Sequence, residues 1–510
     1  MYNGIVEAIP VLLDNLFTVQ MGIALLIGIV GGLIMGALPG INAVIGMSLL
    51  LPITYSMDPI PAIAMLMSIY TTTILGGSFT AILVNTPGTG SNVVTTLDGY
   101  QMTRRGQAMR ALSTALYASV FGGVFSALMM LLLSPPLARF SLKFDSAETF
   151  LLGILGISII ASLSSSGLKK GMLAGCLGML LCTVGFTPGT YVNRFTFGNI
   201  YLNDGFNETV VILGLFSIAQ VLRICIEIHK GQEITKMEVA ELKGKWLLPW
   251  TDFKKCIAPA VRGVLIGIWV GLLPGAGPNI SAFIAYNDAK KHSKHPEEFG
   301  KGAIEGVAAP EAANNATTGA AMIPLFTLGI PGSAAAAVLL GGLMIQGLIP
   351  GASMFTKQSG ITYSVIILFL FANIIMLPAG IFFTHFFKKI LSVPPAVLNT
   401  IIAVLVVLGS FSIQNRAFDM SVLIIFGILG FLMNMAAYPE SAFILGILLG
   451  GLTEDGFIRT ITICEALEVN PLFYFMGRPL CLVLFALIIF GTFGPSIIKA
   501  VKKYSKRGAV

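Results

Sequence analysis

Glu311 and the polar residues after it are the first candidates for chemistry. The run 302–333, GAIEGVAAPEAANNATTGAAMIPLFTLGIPGS, sets Glu305, Glu311, Asn314, Asn315, Thr317, Thr318 and a Gly-Ile-Pro-Gly turn among small and apolar residues. Lys301 stands close to Glu305, which places that carboxylate at an interface and leaves Glu311, beside Pro310, as the stronger centre. A carboxylate at membrane depth serves as a proton carrier or a cation ligand. The plainer alternative is a helix-start carboxylate facing free N–H groups. Asn314, Asn315, Thr317 and Thr318 follow within about two turns, so several can face one cavity; adjacent helical residues point about 100° apart, so not all can.

A second constellation is Asn85-Thr86-Pro87-Gly88-Thr89-Gly90-Ser91-Asn92. It offers hydroxyls, amides and backbone N–H groups with no negative charge, which suits an anion. The phosphate-loop pattern GxxxxGK[ST] is absent, and a carboxylate fits as well as a phosphate. Its plainer alternative is an exposed loop. With these two belong the turns at 39–42 and 274–279, so four segments read as broken helices: 39–42, 85–92, 274–279 and 329–333. A helix interrupted within the bilayer turns N–H groups toward anions at one end. At the other it turns carbonyls toward cations, and such breaks in corresponding places of two halves mark transporter sites. Ordinary interfacial Pro-Gly turns are the alternative. The expected anion positions are Asn85, Thr86, Pro87, Gly88, Thr89, Gly90, Ser91, Asn92, Gly329, Pro331, Gly332 and Ser333. The expected cation positions are Gly40, Asn42, Gly275, Asn279, Glu311, Asn314, Asn315 and Thr318, with Na⁺ as the candidate metal.

The elements that must position these residues follow from composition. The chain is 55% hydrophobic and only 11% charged, against roughly 25% charged in soluble domains. Apolar runs at 19–38, 111–133, 363–386 and 480–500 each meet the length of about 20 residues that a bilayer requires. Further spans are expected at 148–163, 171–186 and 208–222. Residues 52–61 and 187–207 read as loops, and so do the residues around Glu454-Asp455. Continuous rather than alternating runs exclude a transmembrane barrel. The expected class is an all-α polytopic membrane protein, lodged in the lipid bilayer.

Several functions are disfavoured. No basic cluster with interleaved aromatics points to nucleic acid. The six cysteines form no CxxC and read as packing residues. His292 and His295 lie in a lysine-rich stretch that reads as a solvated loop. No HExxH, nucleophile elbow or paired catalytic carboxylates occur, which speaks against an intramembrane enzyme. No cofactor is expected, and no signal peptide is read at the N-terminus.

The chain also repeats itself. Leu38-Pro39-Gly40 recurs as Leu273-Pro274-Gly275, with Gly28 and Gly36 recurring as Gly263 and Gly271 at the same offset of 235. Pro87-Gly88 recurs as Pro331-Gly332, an offset of 244. Pro135-Pro136 recurs as Pro394-Pro395, and Glu208 with Leu213-Gly214 as Glu440 with Leu445-Gly446. The expected organisation is a first repeat at 1–222, a cytoplasmic linker at 223–262 carrying Trp246 and Trp250, a second repeat at 263–478, and an additional helix with a basic tail at 479–510. Lys290, Lys291, Lys294 and Lys301 charge the loop at 286–301, whereas its counterpart at 52–61 has no basic residue. Three arginines charge the loop at 100–110, whereas 343–357 has only Lys357. Basic loops face the cytoplasm, so equivalent loops face opposite sides. The expected fold is therefore two inverted structural repeats with broken or re-entrant helices plus an extra C-terminal helix. The N-terminus is expected outside and the C-terminus inside.

The segment 36–42 and the runs YTTTILGGSFTAILVNTPGTGSNVVTTLDGYQMTRRGQA (70–108), GLLPGAGPNISAFIAY (271–286) and EGVAAPEAANNATTGAAMIPLFTLGIPGS (305–333) resemble the large membrane subunit of tripartite tricarboxylate transporters. The resemblance covers nearly the whole chain. It implies a permease in a bacterial inner membrane, working with a small membrane subunit of about four spans and a periplasmic solute-binding protein. It implies organic acid substrates such as citrate, and drive from an ion gradient, usually sodium, without an ATPase. On this reading the chain is a symporter of di- or tricarboxylates coupled to Na⁺ or H⁺, with alternating access of the elevator type. A passive anion channel is the alternative.

Overall fold

The computed structural model describes residues 2–38, 41–163, 167–187, 192–230, 246–391, 395–490 and 492. These are overwhelmingly helical. Eight helices among them are long and apolar enough to cross a membrane: Val19–Ala37, Pro59–Val84, Ala108–Ser141, Glu208–His229, Trp250–Leu272, Ser359–Phe387, Ala417–Met435 and Glu440–Ala466. A shorter apolar helix, Pro479–Phe490, opens the expected C-terminal segment. Residues 231–245 of the expected linker, and the basic tail, lie outside the described residues; the rest of that stretch is largely helical, ending Glu208–His229 and opening Trp250–Leu272.

Several loops prove more ordered than their sequence suggests. Residues expected as a loop at 52–61 form a short 3-10 helix, Leu51–Ser56, and then the start of Pro59–Val84, with Asp58 at the N-cap and proline in the first turn. Proline suits that position because its missing N–H has no partner there anyway. The stretch 187–207 contains the second strand of a small antiparallel pair, Gly185–Phe186 with Asn193–Arg194, and a 3-10 turn, Ile200–Leu202. Glu454 and Asp455 sit inside the helix Glu440–Ala466, not in a loop. Glu454 accepts both guanidinium N–H groups of Arg194, at 2.5 and 3.0 Å, which removes the need for water beside it. His292 ends the helix Gly277–His292 and does not lie in a loop.

The chain packs as two compact units. The first comprises Met1–Ala138 and Phe216–Asn415, the second Arg139–Leu215 and Arg416–Val510. Each takes segments from both sides of the linker, so packing divides the chain differently from the repeat. Within the second unit, Gly178 lies against the Phe443 carbonyl and Gly446 against the Gly175 carbonyl, which brings Leu168–Cys182 and Glu440–Ala466 into backbone contact. Arg478 bonds Glu148 and Asp145, both at 2.8 Å, and lies 4.6 Å from the Tyr474 ring centroid. Glu148 is 2% exposed, so this guanidinium is what makes its burial tolerable.

The first unit holds every described candidate residue. Pro59–Val84 is its most enclosed span, buried from Ile60 to Leu83 despite a row of hydroxyls. Thr72 and Thr80 return their hydroxyls to the carbonyls of Ser68 and Gly77 in their own helix, a common way to satisfy Ser and Thr away from water. Two glycine rows then set the helix spacing. Gly28, Gly32 and Gly36 approach the backbone of Met65, Ile69 and Thr73; Gly263, Gly267 and Gly271 approach that of Ala309, Ala313 and Thr317. The second set is the first displaced by the two offsets read from the sequence. Without a Cβ the backbones meet directly, which is how helices gain packing energy in lipid.

One further bond set fixes the entry to the helix Glu305–Leu328. Asp98 is fully buried, and its Oδ1 accepts from the backbone N–H groups of Gly300, Gly302 and Ala303 at 2.9, 2.7 and 2.8 Å. Its Oδ2 accepts from the Tyr286 hydroxyl at 2.8 Å. A carboxylate from the first half of the chain thus holds the turn that leads into a helix of the second.

Two predictions follow from this packing. Gly36→Ala and Gly271→Ala are each expected to destabilise the purified protein by about 1–3 kcal/mol, seen as a lowered melting temperature, because the added carbon meets backbone. Gly22→Ala, where no atom stands within 4 Å of the new carbon, is expected to leave it unlowered. Asp98→Ala is expected to cost about 3 kcal/mol or more, since it strands buried donors. Hydrogen exchange should show amides 300, 302 and 303 deprotected first, and Asp98→Asn should recover part of the loss.

Candidate functional site

The breaks at 85–92 and 329–333 are built alike. Pro59–Val84 stops at Asn85 and Glu305–Leu328 stops at Gly329, both left-handed at φ 56° and 73°. Asn and Gly are the residues that adopt this conformation most readily. The next residues bond back across the helix end, Thr86 N–H to Thr80 O and Ile330 N–H to Pro324 O, both at 3.3 Å. The chain then doubles back along the helix it has left. Gly88 N–H meets Gly77 O at 3.4 Å, and Gly332 N–H meets Ala321 O at 3.2 Å. A side chain at Gly88 would strike the Gly36 carbonyl, and one at Gly332 the Gly271 carbonyl. Each Pro-Gly is therefore a backbone crossing, and Gly275 N–H donates to Gly332 O at 3.0 Å to complete the second one. Beyond the crossing Thr89 and Ser333 are extended, and a helix restarts: Gly90–Asn92 leading into Val93–Arg104, and Ala334–Ile345.

The repeats meet at these breaks. The amide of Asn279 stands against Gly90, where a Cβ would come within 2.8 Å of its Nδ2. Tyr70 OH lies 2.7 Å from Ser333 Oγ. Asn315 Nδ2 donates to Thr71 Oγ1 at 2.9 Å and to Thr71 O at 3.2 Å, and Thr71 Oγ1 donates to Asn373 Oδ1 at 2.8 Å. Thr71 and Asn315 are 244 residues apart, the offset of the breaks themselves. Equivalent positions bonded to one another lie on the axis that relates the two repeats.

Glu311 is the carboxylate of the site. It is fully buried, two turns inside its helix and away from the helix start. Ser78 Oγ and Ser119 Oγ donate to its Oε2 at 2.7 and 3.0 Å. Thr95 Oγ1 and Asn92 Nδ2 donate to its Oε1 at 2.5 and 3.4 Å. All four donors are neutral, and all come from the first repeat. Among the described residues no Lys, Arg or His forms an ion pair with it. Asn92 also donates to Ser78 Oγ at 2.8 Å and accepts from Thr89 Oγ1 at 2.5 Å, while Thr89 and Ser91 hydroxyls meet at 2.8 Å. The turn 85–92 is thus tied by its own side chains to the carboxylate of the other repeat.

The expected residues divide by what their side chains do. Thr89, Ser91, Asn92 and Glu311 share one hydrogen-bonded network at the first break, with Asn279 against Gly90, while Asn315 bonds Thr71 and Ser333 bonds Tyr70. Pro87, Gly88, Gly275, Gly329, Pro331 and Gly332 build the crossings through backbone. Asn42 spends its Oδ1 on Ile45 N–H as a helix cap at 3.1 Å, and Thr318 spends its hydroxyl on Asn315 O at 2.7 Å. Asn85 acts by its backbone conformation, with Thr86 beside it. Gly40 lies outside the described residues. Asn314 is fully buried, and neither its Oδ1 nor its Nδ2 has a hydrogen-bond partner among the described residues. Ser78, Thr95, Ser119, Tyr70, Thr71 and Asn373 are participants that the sequence reading did not single out. Tyr70, Thr71, Ser78 and Thr95 lie within the polar run 70–108, whereas Ser119 and Asn373 are single polar residues in apolar spans and give no signal.

The likenesses to known proteins agree with this architecture. No solved structure matches the chain. An Agrobacterium vitis protein described as an uncharacterized 52.8 kDa protein in TAR-I ttuC' 3'region is 37% identical over 437 residues, covering 86% of each chain. A second from the same organism, described as an uncharacterized protein in TAR-II ttuC' 3'region, is 36% identical over 197 residues, 39% of this chain and 81% of that one. The model of the tripartite tricarboxylate transporter TctA family matches residues 23–445. With its apolar spans and paired broken helices, the chain is a multi-pass membrane protein and belongs to the tripartite tricarboxylate transporter TctA family.

Proposed function

We propose that the chain is the permease of an ion-coupled importer of organic di- and tricarboxylates. The observation that carries this reading is Glu311, a buried carboxylate held only by neutral hydroxyl and amide donors at the crossing of two broken helices. A hydroxyl is both donor and acceptor. If the hydrogens of Ser78, Thr95 and Ser119 rotate away, their oxygens join the carboxylate as ligands of a hard cation, for which oxygen is the fitting donor. If a proton arrives instead, the carboxyl donates to one of the same oxygens. Either event changes the bonds that Glu311 makes to Asn92 and thereby to the turn 85–92. Cation or proton occupancy is in this way coupled to the break that would hold the substrate's carboxylate on backbone N–H groups. Sodium is the coupling ion we favour, at Glu311 and its hydroxyls.

The partners in this proposal are a small membrane subunit and a periplasmic binding protein that delivers the substrate. The membrane is the bacterial inner membrane, with the N-terminus periplasmic and the C-terminus cytoplasmic. The support is the asymmetry of basic loops between the repeats. Transport proceeds by movement of a broken-helix bundle between two access states.

Glu311→Gln preserves shape and removes the charge. It is expected to lower sodium-gradient-driven uptake of labelled citrate, assayed with the partner subunits present, by about tenfold or more while the protein still folds. Unchanged uptake with unchanged sodium dependence would refute the role of Glu311. Collapsing the gradient with an ionophore distinguishes coupled import, which stops accumulating substrate, from a passive anion channel, which continues to equilibrate it.

A further inference from the structure

The axis through Thr71 and Asn315 makes Tyr70 and Asn314 equivalent positions, one residue before the axis in each repeat. Ser333 and Thr89 are equivalent by the same offset. Tyr70 spans the gap to the second break and closes it with its bond to Ser333. By that equivalence Asn314 answers to Tyr70, and the first break to the second. One turn earlier on the same helix, Glu311 already bonds Asn92 of the first break. An amide is shorter than tyrosine by the ring, and Asn314 reaches no protein partner with either polar atom. Asn315 Oδ1 beside it is also buried without one. Buried polar atoms are paired in nearly all cases, so an unpaired carboxamide in a transporter's centre is a demand for a ligand.

We infer that the two equivalent subsites are unequal: Tyr70 fills the one at the second break, and Asn314 leaves the one at the first break for substrate and selects a hydroxylated carboxylate there. This rests on the functional reading above and moves Asn314 from the cation set to the substrate. The chemical class follows from the amide. Nδ2–H donates and Oδ1 accepts, so the fitting ligand group both accepts and donates. A carboxylate alone accepts only. A carboxylate with an adjacent hydroxyl does both, the carboxylate taking Nδ2–H while the hydroxyl donates to Oδ1. A site built to bond a hydroxyl discriminates strongly against the analogue that lacks it, because its own buried group is left unpaired.

The test compares uptake of two matched pairs, citrate against tricarballylate and malate against succinate, by the full chain with its partner subunits. The unaltered protein is expected to prefer the hydroxylated member of at least one pair by about tenfold or more. Asn314→Leu is expected to lose that preference and to melt at or above the temperature of the unaltered protein, since it deletes an unpaired buried amide. Asn314→Ala supplies the same readout should leucine not fold. Tyr70→Phe is expected to keep the preference within about twofold. Preference retained in Asn314→Leu or Asn314→Ala overturns the subsite while leaving the permease reading intact. Equal uptake of hydroxylated and plain acids by the unaltered protein overturns the ligand class. Uptake of none of the four acids overturns the permease reading and the subsite with it.

Discussion

A carboxylate removed from water has to be answered by donors, and the answer to Glu311 comes from another part of the chain. Four groups on Pro59–Val84, Gly90–Asn92, Val93–Arg104 and Ala108–Ser141 converge on its two oxygens. None brings charge. An arginine would hold the carboxylate more firmly, but it would leave nothing for an arriving cation to do. Neutral hydroxyls satisfy the group and remain able to reverse their direction. Asp98 shows the contrast within the same unit. It meets three backbone N–H groups that cannot reverse, so it is suited to holding the entry of Glu305–Leu328 in place.

Close backbone approach accompanies this convergence: Gly122, on the helix that carries Ser119, stands against the Ala312 carbonyl beside Glu311, and glycine rows draw in the outer helices. Side-chain hydroxyls are short, and they reach across two helices only when the backbones nearly touch. Gly28, Gly32 and Gly36 bring Val19–Ala37 onto Pro59–Val84, and Gly263, Gly267 and Gly271 bring Trp250–Leu272 onto Glu305–Leu328. Gly88 and Gly332 then let each break cross the preceding pair. Packing and polar satisfaction are therefore one problem here. A larger residue in either row would strain its helix pair.

Much of this was legible in the sequence. Paired Pro-Gly turns at matching offsets marked the crossings, and the run of Glu311, Asn314 and Asn315 marked the centre. The break read at 329–333 is where the helix ends: Glu305–Leu328 runs through Pro310 and Pro324 and stops at Gly329. What misled was Glu454: its glycine and threonine neighbours look loop-like, but Arg194, distant in sequence, makes a helical place for it. Ser119 and Asn373 were silent because a single serine or asparagine in an apolar span usually bonds its own helix. Only the partner, far along the chain, distinguishes the exceptions.

The bond between Thr71 and Asn315 bears on where such a chain comes from. A protein of two identical halves carries the same residue at both positions on its axis. Only a side chain that is donor and acceptor at once can pair with its own copy, and hydroxyl and carboxamide both qualify. A carboxylate or an ammonium does not. The pair seen here is mixed, Asn315 donating and Thr71 accepting, so the two halves are chemically unlike even where they touch at equivalent positions.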